Sequence, residues 1–77
     1  MPPTHTAAIA ANVRAEMARL KLPQSEIGRV LGISQQAISK RLAGEVSFSV
    51  EEIHAVASRL GVSTADLIDT PAARVAS

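Results

Sequence analysis

Apolar residues recur along this chain at helical rather than strand spacing. Ile9, Val13, Met17 and Leu20 follow at intervals of four, four and three, which sets them on one face of a helix. That helix starts near Thr6, with Thr6 or Thr4 as the capping hydroxyl, and turns Asn12, Arg14, Glu16 and Arg19 towards water. It ends near Lys21, because Pro23 disfavours helical geometry at Leu22. Pro23 suits the entry of a second helix, Gln24 to Leu31, with Ile27, Val30 and Leu31 inward. Gly28 in its interior costs about 1 kcal/mol relative to alanine, so a neighbouring helix is expected to pass too close for a larger side chain.

The third helix is bracketed by Gly32 and Gly44, with Ser34 offered as its N-cap. Ile38 and Leu42 share one face, while Gln35, Gln36, Ser39 and Lys40 fall on the rest. After a loop from Glu45 to Phe48, Ser49 and Glu52 have the spacing of a capping box. Val50, Ile53, Val56, Ala57 and Leu60 form the stripe of a fourth helix closed by Gly61, and Phe48 precedes the cap as a staple against Ile53. Ser63 and Asp66 repeat the box for a short fifth helix carrying Leu67 and Ile68, ended by Pro71. The pattern predicts an all-α, compact five-helix orthogonal bundle. Its core is expected to consist of Ile9, Val13, Met17, Leu20, Ile27, Val30, Leu31, Ile33, Ile38, Leu42, Phe48, Ile53, Val56, Leu60, Val62 and Leu67. Residues 1–5 read as a flexible arm, 6–69 as the folded domain and 70–77 as a flexible tail.

With 77 residues there is room for one core. Phe48 is the only aromatic residue, so aliphatic side chains must fill that core. No stretch approaches the ~20 apolar residues of a membrane span, and no cysteine is present for disulfides or thiolate metal sites. A soluble, cytoplasmic protein is expected. Its net charge is only +1, unevenly spread. Residues 1–44 hold six Lys and Arg against Glu16 and Glu26, a balance of +4; residues 45–77 hold Arg59 and Arg74 against five acids, a balance of −3. The first half therefore suits a polyanion.

Catalysis needs a nucleophile with a base, paired carboxylates or clustered metal ligands. None is evident. His5 and His54 are isolated on polar positions, Glu51 and Glu52 point in different directions on one helix, and the four glycines are too scattered to cradle a phosphate. No enzyme activity, cofactor, metal or small-molecule ligand is expected.

Gln24-Ser25-Glu26-Ile27-Gly28-Arg29-Val30-Leu31-Gly32-Ile33-Ser34-Gln35-Gln36-Ala37-Ile38-Ser39 resembles the helix-turn-helix of the phage repressor and Cro family. Leu60-Gly61-Val62-Ser63 and Asp66-Leu67 extend the likeness through most of the chain. The resemblance implies a helix-turn-helix at about 24–43 and a recognition helix at about 35–43. It further implies binding to an operator in double-stranded DNA, as a homodimeric transcriptional repressor. Gln24 matches the glutamine that contacts a phosphate and braces the first glutamine of the recognition helix, here Gln35. Gln35 and Gln36 match base-reading positions and suit adenine, with guanine also open. Ser39 and Lys40 match further groove-facing positions; Lys40 suits guanine or phosphate equally. By the same resemblance, backbone N–H groups near Ser34 and at the entry of helix four, around Ser47 to Ser49, hold phosphates.

Departures from the family are informative. Pro23 replaces a capping Ser or Thr. Arg41 stands where relatives are often apolar, which makes it a candidate phosphate ligand. Met17 and Leu42 stand where several repressors pair an arginine with a glutamate, so an apolar contact is expected there. Glu45 lies just past the third helix and would repel phosphate. Leu67 and Ile68, with Val75 in the tail, are candidate dimer contacts. The competing reading is an antitoxin-like or adaptor module that binds protein, disfavoured because the polar face of helix three lacks aromatic anchors.

Overall fold

The helical stripes become five helices in the computed structural model, which describes residues 5–68: α1 His5–Leu20, α2 Gln24–Leu31, α3 Gln35–Leu42, α4 Val50–Leu60 and α5 Thr64–Ile68. No strand occurs among the described residues. α1 crosses α3, α4 and α5, while α2 lies against α3 and α4. The result is an all-α bundle in which the chain's only aromatic side chain, Phe48, is buried with aliphatic neighbours. Among the described residues, no helix is long and apolar enough to cross a membrane.

Most inward positions are those the spacing marks. Val13, Ile27, Ile38, Val56 and Leu67 are almost completely buried, and Met17, Leu42, Phe48, Ile53 and Leu60 join them. Two residues of the apolar stripes lie outside the core. Leu20, the last residue of α1, is 38% exposed, and Val50, the first of α4, is 71% exposed. Both sit in a terminal turn that overhangs the packed region. Ala10 is fully buried instead; its methyl group gives too weak a periodic signal to stand out in the sequence.

Four helix ends close in the same way. A left-handed residue follows the helical run, directly at Lys21, Gly32 and Gly61 and one residue later, after Ala43, at Gly44. The following amide then reaches back five residues, from Leu22 to Met17, Ile33 to Gly28, Glu45 to Lys40 and Val62 to Ala57. Lys21 is the exception in residue type, holding φ 58° without being glycine, a conformation that costs roughly 1–2 kcal/mol. At Gly44 the glycine is required twice: φ is 81°, and a Cβ would stand 3.1 Å from Ala7 Cα on α1. Gly28 is different. A methyl there would lie 3.4 Å from Ile38 Cγ2 and 3.5 Å from the Ile33 carbonyl, ordinary contact distances. Alanine therefore fits, and the expected exclusion begins only with larger side chains.

Several polar expectations change. Thr6 lies inside the first turn of α1 and does not cap it; its hydroxyl meets that of Ser47 at 2.8 Å. Thr4 lies outside the described residues, as do the tail, Pro71 and Val75. Asn12 is half-buried, and its amide donates to the Leu67 carbonyl at 2.7 Å, tying α1 to α5. Arg14 donates to the Leu42 carbonyl. Leu67 itself is fully buried in the core, while Ile68 beside it is 40% exposed.

Candidate nucleic-acid interface

The geometry around α3 begins with its turn. α2 starts without a side-chain cap, since Pro23 in extended geometry fills the cap position, as its sequence implies. It ends at left-handed Gly32, and two residues later Ser34 caps α3 by accepting from the Ala37 amide at 3.1 Å. This short connection swings α3 across α2. Ile38 and Leu42 then anchor the inner face of α3, at 0% and 2% exposure.

The outer face is joined to α2 by a side-chain hub. Gln24 Oε1 accepts from Gln35 Nε2 and from Ser39 Oγ, each at 3.1 Å. One oxygen thus holds two successive turns of α3, and the brace from Gln24 to Gln35 implied by the family resemblance is present. Gln35 keeps its own carbonyl oxygen and one amide hydrogen for another partner. Ser39 has spent its hydroxyl hydrogen and presents only lone pairs. Gln36 and Lys40 are exposed, and neither has a side-chain partner among the described residues.

The C-terminal end of α3 is fastened twice more. Arg14 of α1 donates to the carbonyl of Leu42, one of the orphan carbonyls a helix end must satisfy. Met17 and Leu42 lie in the same buried cluster, the apolar arrangement expected in place of an ion pair. Arg41 departs from expectation. Its Nε donates to Glu52 Oε1 at 3.0 Å and its Nη1 to the Ala37 carbonyl at 3.2 Å, with only 19% of the side chain exposed. A guanidinium so engaged is not a free phosphate clamp.

The entry of α4 also differs from the expected phosphate site. Ser49 and Glu52 form the complete capping box: the Ser49 amide donates to Glu52 Oε1 and the Glu52 amide to Ser49 Oγ. The Ser49 amide is thereby occupied, while its hydroxyl, which only accepts in the box, keeps its hydrogen. At Glu52, burial pushes the carboxyl pKa up, but the Ser49 amide and the Arg41 guanidinium outweigh it and hold the value below the ordinary one. Ser47 at the same entry has its hydroxyl on Thr6.

Charge is more evenly cancelled in space than in sequence. Glu26 takes Arg29 at 2.6 Å and Arg59 at 3.2 Å, linking α2 to α4, and Glu16 takes Arg19 at 2.7 Å. Hydrogen bonding from Arg29 and then Arg59 keeps Glu26 below the usual carboxylate range. Of the cations in the basic half, Lys21 and Lys40 are the ones with no acid or carbonyl partner among the described residues. Sequence reasoning missed Arg14 and Glu52 as supports of α3. No local signal marks either, because Arg14 lies 28 positions from its acceptor and Glu52 is already accounted for as a cap.

A helix capped at its N-terminus, held from behind by three elements and turning uncommitted amides outward is the arrangement of a helix-turn-helix reader. A family model described as helix-turn-helix matches residues 13–67, well over half of the chain. The protein belongs to that family, the phage repressor and Cro type of DNA-binding transcription regulators. The crystal structure of the hypothetical transcription factor NHTF from Neisseria superposes with a TM-score of 0.79 over 99% of this chain and 91% of that one, at 23% identity. At that identity the likeness is one of fold. No curated protein matches the sequence.

Proposed function

We propose that this protein is a sequence-specific repressor of phage or bacterial type, working in the cytoplasm on a double-stranded DNA operator. α3 enters the major groove while α2 crosses the phosphate backbone. The observation that carries this reading is the division of α3. Its inner face, C-terminus and first turn are fixed by α1, α2 and α4, while Gln35, Gln36 and Lys40 stay open to solvent. The Gln35 amide, preorganised by Gln24, matches the donor and acceptor pair on adenine. Gln35 supplies its oxygen to the adenine amino group and its remaining hydrogen to N7. Gln36 reads a neighbouring base, and Lys40 takes guanine or a phosphate. Ser39, an acceptor only, suits the amino group of cytosine or adenine. The Gln24 Nε2 amide and the backbone amides near Ser34 hold phosphate, as does the Ser47 backbone amide at the entry of α4.

A module this small contacts few base pairs, so it binds as a homodimer at half-sites about one helical turn apart. Ile68 is the exposed apolar residue that α5 offers to a partner. The fold shared with a protein titled as a transcription factor supports the same reading.

Selection of binding sites from random duplexes tests it. An enriched, two-fold motif is expected, with log K falling by roughly 0.9 per log salt for each phosphate neutralised. The scarcity of unpaired cations predicts a shallow slope, about −1 to −2 per protomer. Equal, weak binding to all duplexes would overturn the proposal.

A further inference from the structure

We infer that Arg41 is a positioning residue: through Glu52 it fixes the orientation of the recognition helix, and it takes no phosphate. This rests on the DNA-binding reading of α3.

The observations are geometric. α3 is only eight residues long, too short to hold a defined direction by its own hydrogen bonds. Ile38 and Leu42 fix which face is inward, but two apolar contacts on one line leave the helix free to roll about that line. Arg41 lies beside this seam, and its fork spans two elements, with Nε on Glu52 of α4 and Nη1 on the Ala37 carbonyl one turn back in α3. The bond to Ala37 lies within α3 and fixes the side-chain rotamer, so roll of α3 away from α4 must stretch the bond to Glu52. Glu52 is itself immobile, because the same Oε1 accepts the Ser49 amide that opens α4. The capping box of α4 is therefore also the abutment for α3. On the opposite side Gln24 holds Gln35 and Ser39, so the reading face is braced from α2 and α4 together.

The placement also argues against a phosphate role. Arg41 and Glu52 are each 19% exposed, and a phosphate would have to displace a carboxylate already hydrogen-bonded in a partly desolvated site. Moving the guanidinium outward would leave Glu52 facing the DNA backbone as an unpaired anion. Arginine suits the strut because its planar fork makes both bonds from one rotamer, which the single ammonium of lysine cannot do.

Opposite outcomes separate strut from clamp. In Glu52→Gln, a clamp is set free and an anion near DNA is removed, so affinity for the selected duplex would rise. A strut is weakened, so affinity falls, by roughly tenfold, with reduced discrimination against single-base variants of the site. In Arg41→Met the strut reading expects a similar loss with an unchanged salt slope, whereas loss of a phosphate contact would flatten the slope by about 0.9. Arg41→Lys keeps the charge and guards against a folding defect in the uncharged variant. It is expected to retain the slope without restoring discrimination; full rescue by lysine overturns the inference.

An arm without DNA completes the test. The Glu52 carboxyl, followed by NMR, is expected to titrate below the ordinary range in the wild-type chain and to move up in Arg41→Met; an unmoved titration means that the pair is not formed and overturns the inference. Failure of the wild-type chain to select any motif overturns the DNA reading and the positioning role with it. A selected motif with tighter binding by Glu52→Gln overturns the positioning role alone.

Discussion

α3 and α4 begin alike and end up as opposites. Each is capped by a serine in extended geometry whose hydroxyl accepts the amide three residues on. Behind Ser34 the first turn of α3 carries no acid, whereas behind Ser49 come Glu51 and Glu52. The positive end of the α3 dipole is therefore open to an outside anion, and that of α4 is filled by its own carboxylates. Under the proposed function, phosphate is therefore assigned to the α3 end, whose first turn carries no acid. The family resemblance gave both ends a phosphate role, and the two differ in that only α4 carries acids in its first turn.

The strongest way to break this comparison is to make α3 resemble α4. Gln36→Glu places a carboxylate in the first turn of α3. It is expected to cost about 1–3 kcal/mol in operator affinity from the lost base pairing alone, with phosphate repulsion added, while thermal stability rises slightly. Titration of the selected duplex beside a melting curve reads both, and undiminished affinity would place phosphate elsewhere. Removing the caps comes next. Ser34→Ala and Ser49→Ala should each lower stability by about 0.5–2 kcal/mol in denaturant unfolding. Ser34→Ala should in addition weaken every duplex alike, and Ser49→Ala should leave the salt slope as it was.

Acid sharpens the comparison further. Because Glu52 titrates below its ordinary value near 4.5, its contribution to stability is complete above that pH. It is lost as pH falls through the depressed value. Thermal midpoints measured downward from pH 5 should drop, and Glu52→Gln should flatten that drop. The smallest effect belongs to Glu51→Gln, which removes an exposed charge from the α4 N-terminus. It should cost about 0.3–1 kcal/mol at low salt, and less at high salt.

Local grammar made much of the fold legible. The start of α3 at Ser34, the box at Ser49 and Glu52 and the closing glycines Gly32, Gly44 and Gly61 follow from bonds spanning three to five residues. The inward faces of α1 and α4 follow from period alone, except in the terminal turns. Leu20 and Val50 show the limit: spacing tells which side of a helix an apolar residue occupies, not whether another element reaches it. Lys21 shows another, since a left-handed residue without glycine carries no compositional mark.

At the candidate interface, the sequence by itself determined the parts: which helix turns amides outward, where it starts and stops, and that Gln24 stands in position to brace it. Only the tertiary structure decided how those parts are spent. Arg41 is read in sequence as a cation available to DNA, and in space its partner is Glu52, eleven residues on. Arg14 finds the Leu42 carbonyl across 28 positions. The reason is one of range. Caps, turns and helical faces are set by groups that neighbour each other along the chain, whereas the availability of a charge depends on every opposite group the fold brings within a few ångströms.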